Sequence, residues 1–169
     1  PGLLHLIKQA GIELGKIGTY EVGYILAPRI NAMGRMRHAI EALRLLCTQK
    51  EEQALELAKV LDETNRDRQS AMTDIYFHSR NLFLKQYKGS ELPKFILVAH
   101  TSYQEGIIGL AAGKLTEEFH RPSVVVSIGE KYSKASARSI SGFNIIEVLR
   151  EHFDLITEAG GHPMAAGFT

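Results

Sequence analysis

Apolar residues fall at helical spacing through the first half of this chain and in short unbroken runs through the second. Leu3, Leu6, Ile7, Ala10 and Leu14 recur at the period of a helix with one buried face, and Gly11, Gly15 and Gly18 break the segment. Tyr20, Val22, Tyr24 and Leu26 alternate, but Pro28 and Gly34 mark 19–35 as a loop approaching a helix. A short helix is expected over 37–47, with Ala39, Ile40, Leu43 and Leu46 inward. Residues 50–87 hold neither Gly nor Pro. They read as one helix of about 57 Å, a length that commonly bridges two bodies of a protein. Its inward stripe is apolar at both ends, from Ala54, Leu57 and Leu61 to Ile75 and Leu82, but polar in the middle, at Asn65 and Arg68. Asp62, Asp67 and Asp74 on the same helix read as solvated.

Beyond Lys88-Gly89-Ser90-Glu91-Leu92-Pro93 the pattern changes. Phe95–Ala99 and Val124–Ile128 are continuous apolar runs typical of buried strands, separated by a helix through Ile107, Ile108, Ala111 and Leu115. Residues 133–140 alternate as a third strand, and Asn144 with Glu147 resembles a capping box before Ile145 and Ile146. A glycine-rich end follows, and a further strand is expected to begin near Phe168-Thr169. The fold class is α/β: a long connecting helix leading to a small mixed-sheet domain with flanking helices.

Composition narrows the function little. The chain has 169 residues and a formal net charge of +1, so any surface for a polyanion must be local. One cysteine, Cys47, excludes an internal disulfide and a cysteine-based zinc site, and a reducing cytoplasmic setting fits. No apolar run is long enough to span a membrane. The chain opens on Pro1-Gly2, and both ends read as cut from a longer protein.

The candidate chemistry is oxyanion binding. Arg29, Asn31, Arg35 and Arg37 cluster between Pro28 and the start of the next helix. They read either as a phosphate and sugar clamp or as a solvated basic turn. Ser136 and Arg138 alternate onto one face of the third strand, as a pocket for a terminal phosphate or as a plain polar edge. Gly160-Gly161-His162, leading to Gly167, lets a ligand approach the backbone and offers a histidine to it; a tight turn is the other reading. Gly106, Gly109 and Gly113 fit close helix–sheet packing better than a phosphate loop, since no Gly-Lys-Ser/Thr follows. No histidine spacing or aspartate cluster suggests a metal centre.

Taken in order, Ala27-Pro28-Arg29-Ile30-Asn31-Ala32-Met33-Gly34-Arg35, Asn65-Arg66-Asp67-Arg68-Gln69, Glu105-Gly106-Ile107-Ile108-Gly109-Leu110, Ser136-Ala137-Arg138-Ser139-Ile140 and Gly160-Gly161-His162 to Gly167 resemble the RecJ family. These are single-strand-specific 5′-to-3′ DNA exonucleases of the DHH phosphoesterase superfamily. The resemblance implies that 1–48 is the tail of the DHH domain, 49–88 the connecting helix and 89–169 a truncated DHH-associated domain. It implies manganese or magnesium bound by a preceding domain, with none held here. Single-stranded DNA is the implied ligand, and a single-strand-binding protein and a helicase are implied partners of the parent. Carried over by motif, Ser136 and Arg138 resemble the 5′-phosphate pocket, with Arg35 as a further contact. Gly160, Gly161 and His162 resemble the element facing the scissile region, His162 in a supporting catalytic role. Asn65 and Arg68 resemble strand contacts. Two positions depart from the family pattern: Gln104 stands where many relatives have histidine, and Ala137 where glycine is frequent. A phosphodiesterase of short RNA or dinucleotides and a non-catalytic RecJ-like replisome scaffold are the competing readings.

Overall fold

A computed structural model describes residues 1–169. The chain forms two compact units, Pro1–Ser70 and Ala71–Thr169, and the division falls inside one long helix.

The first unit is helical. Helices α1 (Gly2–Gln9), α2 (Ala27–Met36), α3 (Ile40–Cys47) and the first part of α4 (Glu51–Gln86) enclose Leu6, Ile7, Leu26, Met33, Leu45, Leu57 and Leu61. Two expectations are corrected here. Residues 21–36 are not a loop: a π-helical segment, Glu21–Leu26, runs straight into α2. Pro28 lacks an N–H and its ring crowds the preceding turn, and a widened turn is where a helix accommodates that. In α3 the inward face is Ala42 and Leu45, whereas Ile40, Leu43 and Leu46 are exposed. Both faces of that short helix are apolar, so periodicity alone could not choose between them.

The second unit holds a five-stranded mixed sheet in the order β1-β2-β3-β5-β4. Strands β1 (Ile96–His100) and β2 (Ser123–Ser127) are parallel and joined through α5 (Glu105–Phe119). Strands β3 (Lys134–Arg138), β4 (Ala159–His162) and β5 (Ala165–Phe168) add antiparallel. The expected strand beginning near 168–169 is instead the end of β5, which lies inside the sheet rather than at its margin. Helix α5 packs on β2 and β3 from one side. On the other side Val124, Ala135, Ala137 and Ala166 pack with Ile145 and Ile146 of α6 (Ile145–Arg150).

The capping box at Asn144 does not form. Asn144 occupies the N-cap position without a side-chain hydrogen bond, and its Oδ1 is buried without a partner. The Ile145 N–H instead donates to the Pro163 carbonyl at 3.1 Å, tying α6 to the β4–β5 turn. A main-chain acceptor supplied by the tertiary fold has taken one of the donors that a cap would serve.

Candidate functional site

In the first unit, the motif on α2 divides between inside and outside. Arg29 turns inward: its Nε donates to Asp62 Oδ1 at 2.9 Å and its Nη1 to the Ile25 carbonyl at 2.7 Å. Asp62 is 1% exposed and also accepts from Arg66 Nη2 at 2.6 Å. This corrects two expectations. Asp62 is not solvated but buried between two guanidinium groups, and Arg29 is committed to that internal ion pair rather than held out toward a ligand. A buried carboxylate needs such partners, because desolvation without them would cost several kcal/mol.

Asn31 and Arg35 lie one turn apart on the exposed side of α2. Asn65 of α4 is 2% exposed, and its Oδ1 accepts from Arg68 Nε at 3.2 Å. Burial, with the positive charge of Arg35 nearby, holds the Arg68 guanidinium below its ordinary arginine value. Two like charges brought together are an unfavourable arrangement that a bound anion would relieve. The polar break in the α4 stripe therefore marks a place where Asn65 orients Arg68 beside Arg35.

In the second unit, the strand register gathers the remaining candidates. Arg138 pairs with Ala165, and Ala165 with His162, in one row across β3, β5 and β4. Ser136 pairs with Gly167, and Gly167 with Gly160, in the next. Directly paired residues share a face, so Ser136, Arg138, Gly160 and His162 point to the same side, with the ends of each row about 10 Å apart. Arg138 Nη1 donates to Ser136 Oγ at 3.2 Å and to the Ala137 carbonyl at 2.8 Å. Gly109 of α5 lies directly above this pair: a Cβ there would stand 2.8 Å from Ser136 Oγ and 3.0 Å from Arg138 Nη2. The glycine is what lets the helix approach so closely.

Past Arg138 the face opens, and Gly160, His162 and Gly167 are exposed. The two adjacent glycines have different reasons. Gly161 has φ +152°, and a Cβ would collide with the Ala165 carbonyl and lie 2.5 Å from Ala166 Cα. Gly160 has no such constraint, since a Cβ there would meet nothing within 4 Å. Its missing side chain leaves a low, open floor on the face that carries Ser136, with Gly167 between them. The floor continues into a depression of about 420 Å³ bounded by Lys134, Glu158 and Thr169. Lys134 Nζ reaches Glu158 Oε1 at 3.0 Å and Thr169 Oγ1 at 2.7 Å. Hydrogen bonds from Lys134 and from the Thr169 hydroxyl, which donates to Glu158 Oε1 at 2.9 Å, hold the Glu158 carboxyl below its ordinary value.

No group of three or more His, Cys, Asp or Glu side chains gathers where it could hold a metal ion. The donor set of these residues does not fit a metal centre. No helix is long and apolar enough to cross a membrane.

A family model for the DHHA1 domain matches residues 92–169. The single-stranded-DNA-specific exonuclease RecJ of Bacillus subtilis is 40% identical over 173 residues, 99% of this chain and 21% of that protein. The Escherichia coli RecJ is 30% identical over the whole of this chain and 30% of its own length. The crystal structure of RecJ from Thermus thermophilus in complex with Mg2+ superposes with a TM-score of 0.84 at 32% identity, covering 99% of this chain and 25% of that one. Over nearly its whole length the chain is similar to a part of RecJ proteins. It spans about a fifth to a third of the length of the RecJ relatives it matches. A structure of exonuclease RecJ bound to manganese gives a TM-score of 0.82, at 33% identity over 99% of this chain and 40% of that one. The expected α/β class, a long helix followed by a mixed sheet with flanking helices, holds for this chain.

Sequence reasoning missed two members of these clusters. Asp62 carries no signal that separates it from the solvated Asp67 and Asp74 except its place on the inward face. Gly109 was legible as a packing glycine, but not as the residue above Ser136 and Arg138.

Proposed function

We propose that the protein carrying this chain is a metal-dependent 5′-to-3′ single-stranded-DNA exonuclease, and that these residues bind the strand and its 5′ phosphate. The metal ions, magnesium or manganese as in the related crystal structures, would be held by residues outside this chain. They would supply an activated water and charge stabilisation at the scissile phosphate. The chain itself contributes grip and orientation.

Ser136 and Arg138 offer a hydroxyl and a guanidinium to a terminal phosphate, pre-set by their mutual hydrogen bond. The glycine floor at Gly160 and Gly167 accepts the sugar–phosphate chain at close range, with Gly161 fixing the turn of β4 beneath it. His162, in line with Arg138, faces the reacting region and donates to phosphate oxygens. In the first unit, Arg35, Arg68 and Asn31 contact the backbone of the strand. The observation that carries this reading is the hydrogen-bonded Ser136–Arg138 pair beneath Gly109, on the same sheet face as Gly160, where a side chain would meet open space.

The test uses the full-length protein and oligonucleotides with a 5′ phosphate or a 5′ hydroxyl. Arg138→Ala is expected to weaken use of the phosphorylated end by about 1.5–3 kcal/mol, the range for a hydrogen bond to a charged group. Gly160→Val is expected to leave stability unchanged, since valine suits a strand, while impairing strand binding. Equal use of both ends by wild type and Arg138→Ala, together with full activity of Gly160→Val, would sink the assignment.

A further inference from the structure

A second, smaller recess lies in the unit that carries the sheet, and neither Ser136 nor Arg138 lines it. It has a volume of about 230 Å³ and opens between α4 and the turn that joins β1 to α5. Its wall includes Asp74, Ile75 and His78 from α4, and Ser102, Tyr103 and Gln104 from the turn. Drug-sized ligands occupy pockets of about 300–1,000 Å³, so this one suits a single ring system.

The recess is held in shape from behind. Tyr103 is 4% exposed, and its hydroxyl lies 2.9 Å from His78 Nδ1. Ser127 Oγ donates to the Tyr103 carbonyl at 2.6 Å. Burial pushes the Tyr103 phenol up to about 12, so it stays neutral. His100 stacks edge-on against His78, with ring centres 4.7 Å apart, and its Nδ1 meets Ser102 Oγ at 2.8 Å. These contacts fix the wall but leave its front groups unused. The Asp74 carboxylate and the Gln104 amide make no hydrogen bond or ion pair within the chain. His78 engages the chain through Nδ1, leaving Nε2 for a ligand.

The chemistry of these groups selects the occupant. A helix N-terminus lies beside the recess, but no cation lines it and the unpaired Asp74 carboxylate would repel an anion. An ionised carboxylate only accepts hydrogen bonds, whereas an amide both donates and accepts. A flat, uncharged ligand can meet all of these groups by offering adjacent N–H donors to Asp74 and an acceptor to Gln104 or His78. A nucleobase has that form, and guanine, with neighbouring ring and amino N–H groups and acceptors on its other edge, fits best. We propose that this recess is a base subsite that takes a guanine from the bound strand. The proposal rests on the single-strand-binding reading given above.

The test is equilibrium dialysis of the full-length protein against guanosine, cytidine and thymidine, which carry no phosphate. It is paired with binding of a 5′-hydroxyl oligothymidine and of the same oligonucleotide carrying one guanine. Guanosine is expected to bind saturably and ahead of thymidine, and the guanine-containing strand to bind more tightly than oligothymidine. Asp74→Asn and Gln104→Ala are exposed substitutions and are each expected to remove about ten-fold of the guanosine affinity. Arg138→Ala should leave guanosine binding unchanged. No preference among the nucleosides, or a preference that survives Asp74→Asn, would overturn the subsite. Guanosine binding without any gain for the guanine-containing strand would overturn its assignment to the strand. Failure of oligothymidine to bind at all would instead count against the strand-binding reading, and the nucleoside arm remains decisive for the recess.

Discussion

Replacing Gly109 by alanine should separate the proposed anion-binding role of Ser136 and Arg138 from the stability of the fold. The new Cβ would stand 2.8 Å from Ser136 Oγ and 3.0 Å from Arg138 Nη2. Ordinary van der Waals contact begins at 3.4 Å, so the hydroxyl must retreat about 0.6 Å and the guanidinium about 0.4 Å. Both are mobile ends of side chains. Displacing Ser136 off its rotamer costs about 0.5–1.5 kcal/mol. Alanine in place of glycine within a helix recovers about 0.8–1.0 kcal/mol. The two nearly cancel, and net stability should stay within about 1 kcal/mol of wild type. Phosphate binding has no such compensation. The Arg138–Ser136 hydrogen bond is already long, at 3.2 Å, and is lost on retreat. Losing one charge-assisted contact to a phosphate costs about 1.5–3 kcal/mol, roughly ten- to 150-fold in affinity. The assay is competition binding of 5′-phosphorylated and 5′-hydroxyl oligonucleotides by fluorescence anisotropy, alongside urea unfolding of the same variant. Undiminished preference for the phosphate would refute the placement of the pocket beneath Gly109. A stability loss above about 3 kcal/mol would refute the claim that only mobile side-chain ends are in the way.

Three further outcomes follow from the same geometry. Gly161→Ala should destabilise by about 2 kcal/mol or more in chemical denaturation, because it combines φ +152° with a backbone collision; a loss below about 0.5 kcal/mol would mean that the β4–β5 hairpin can relax. Asp62→Ala leaves the mostly buried Arg29 without its carboxylate and should cost about 3–5 kcal/mol, with Arg66→Ala costing far less because that side chain is 69% exposed; equal losses would show that the pair with Arg29 carries no special weight. Tyr103 has a folded value near 12 against an unfolded value of 10.0, so its contribution to stability is complete below pH 10 and fades as pH rises toward 12. Tyr103→Phe should flatten that part of the stability–pH curve, and an unchanged slope would show that the phenol is not shielded as described.

Much of the second unit was legible because its signals are local. Continuous apolar runs marked β1 and β2, alternation put Ser136 and Arg138 on one face, and paired glycines before His162 marked the closing motif. The missing information was pairing. Nothing in the sequence says that β5 enters between β3 and β4, and only that order sets His162 in line with Arg138. In the first unit the errors came from competition between local rules. Pro28 and Gly34 argued for a loop, but a π-helical turn absorbed the proline and packing of Leu26, Ala32 and Met33 kept the segment helical. Arg29 looked like its neighbour Arg35 in the sequence. The partner that separates them, Asp62, is 33 residues away.

The hairpin that closes the sheet also limits how such a chain can vary in length. Only Pro163 and Met164 connect β4 to β5, and the main chain grips both, through Ile145 N–H to the Pro163 carbonyl and Ser139 N–H to the Met164 carbonyl. A strand turns over with each residue, so adding or deleting one residue before this turn would slip β4 by one place. His162 and Gly160 would then rotate to the side filled by α6, and Gly161, with its left-handed backbone, would be carried to the open face. Length changes here are therefore tolerated in pairs or not at all. Insertions and deletions among descendants of this sequence should accumulate in the Gly129–Tyr132 connection between β2 and β3 and spare the two residues before β5.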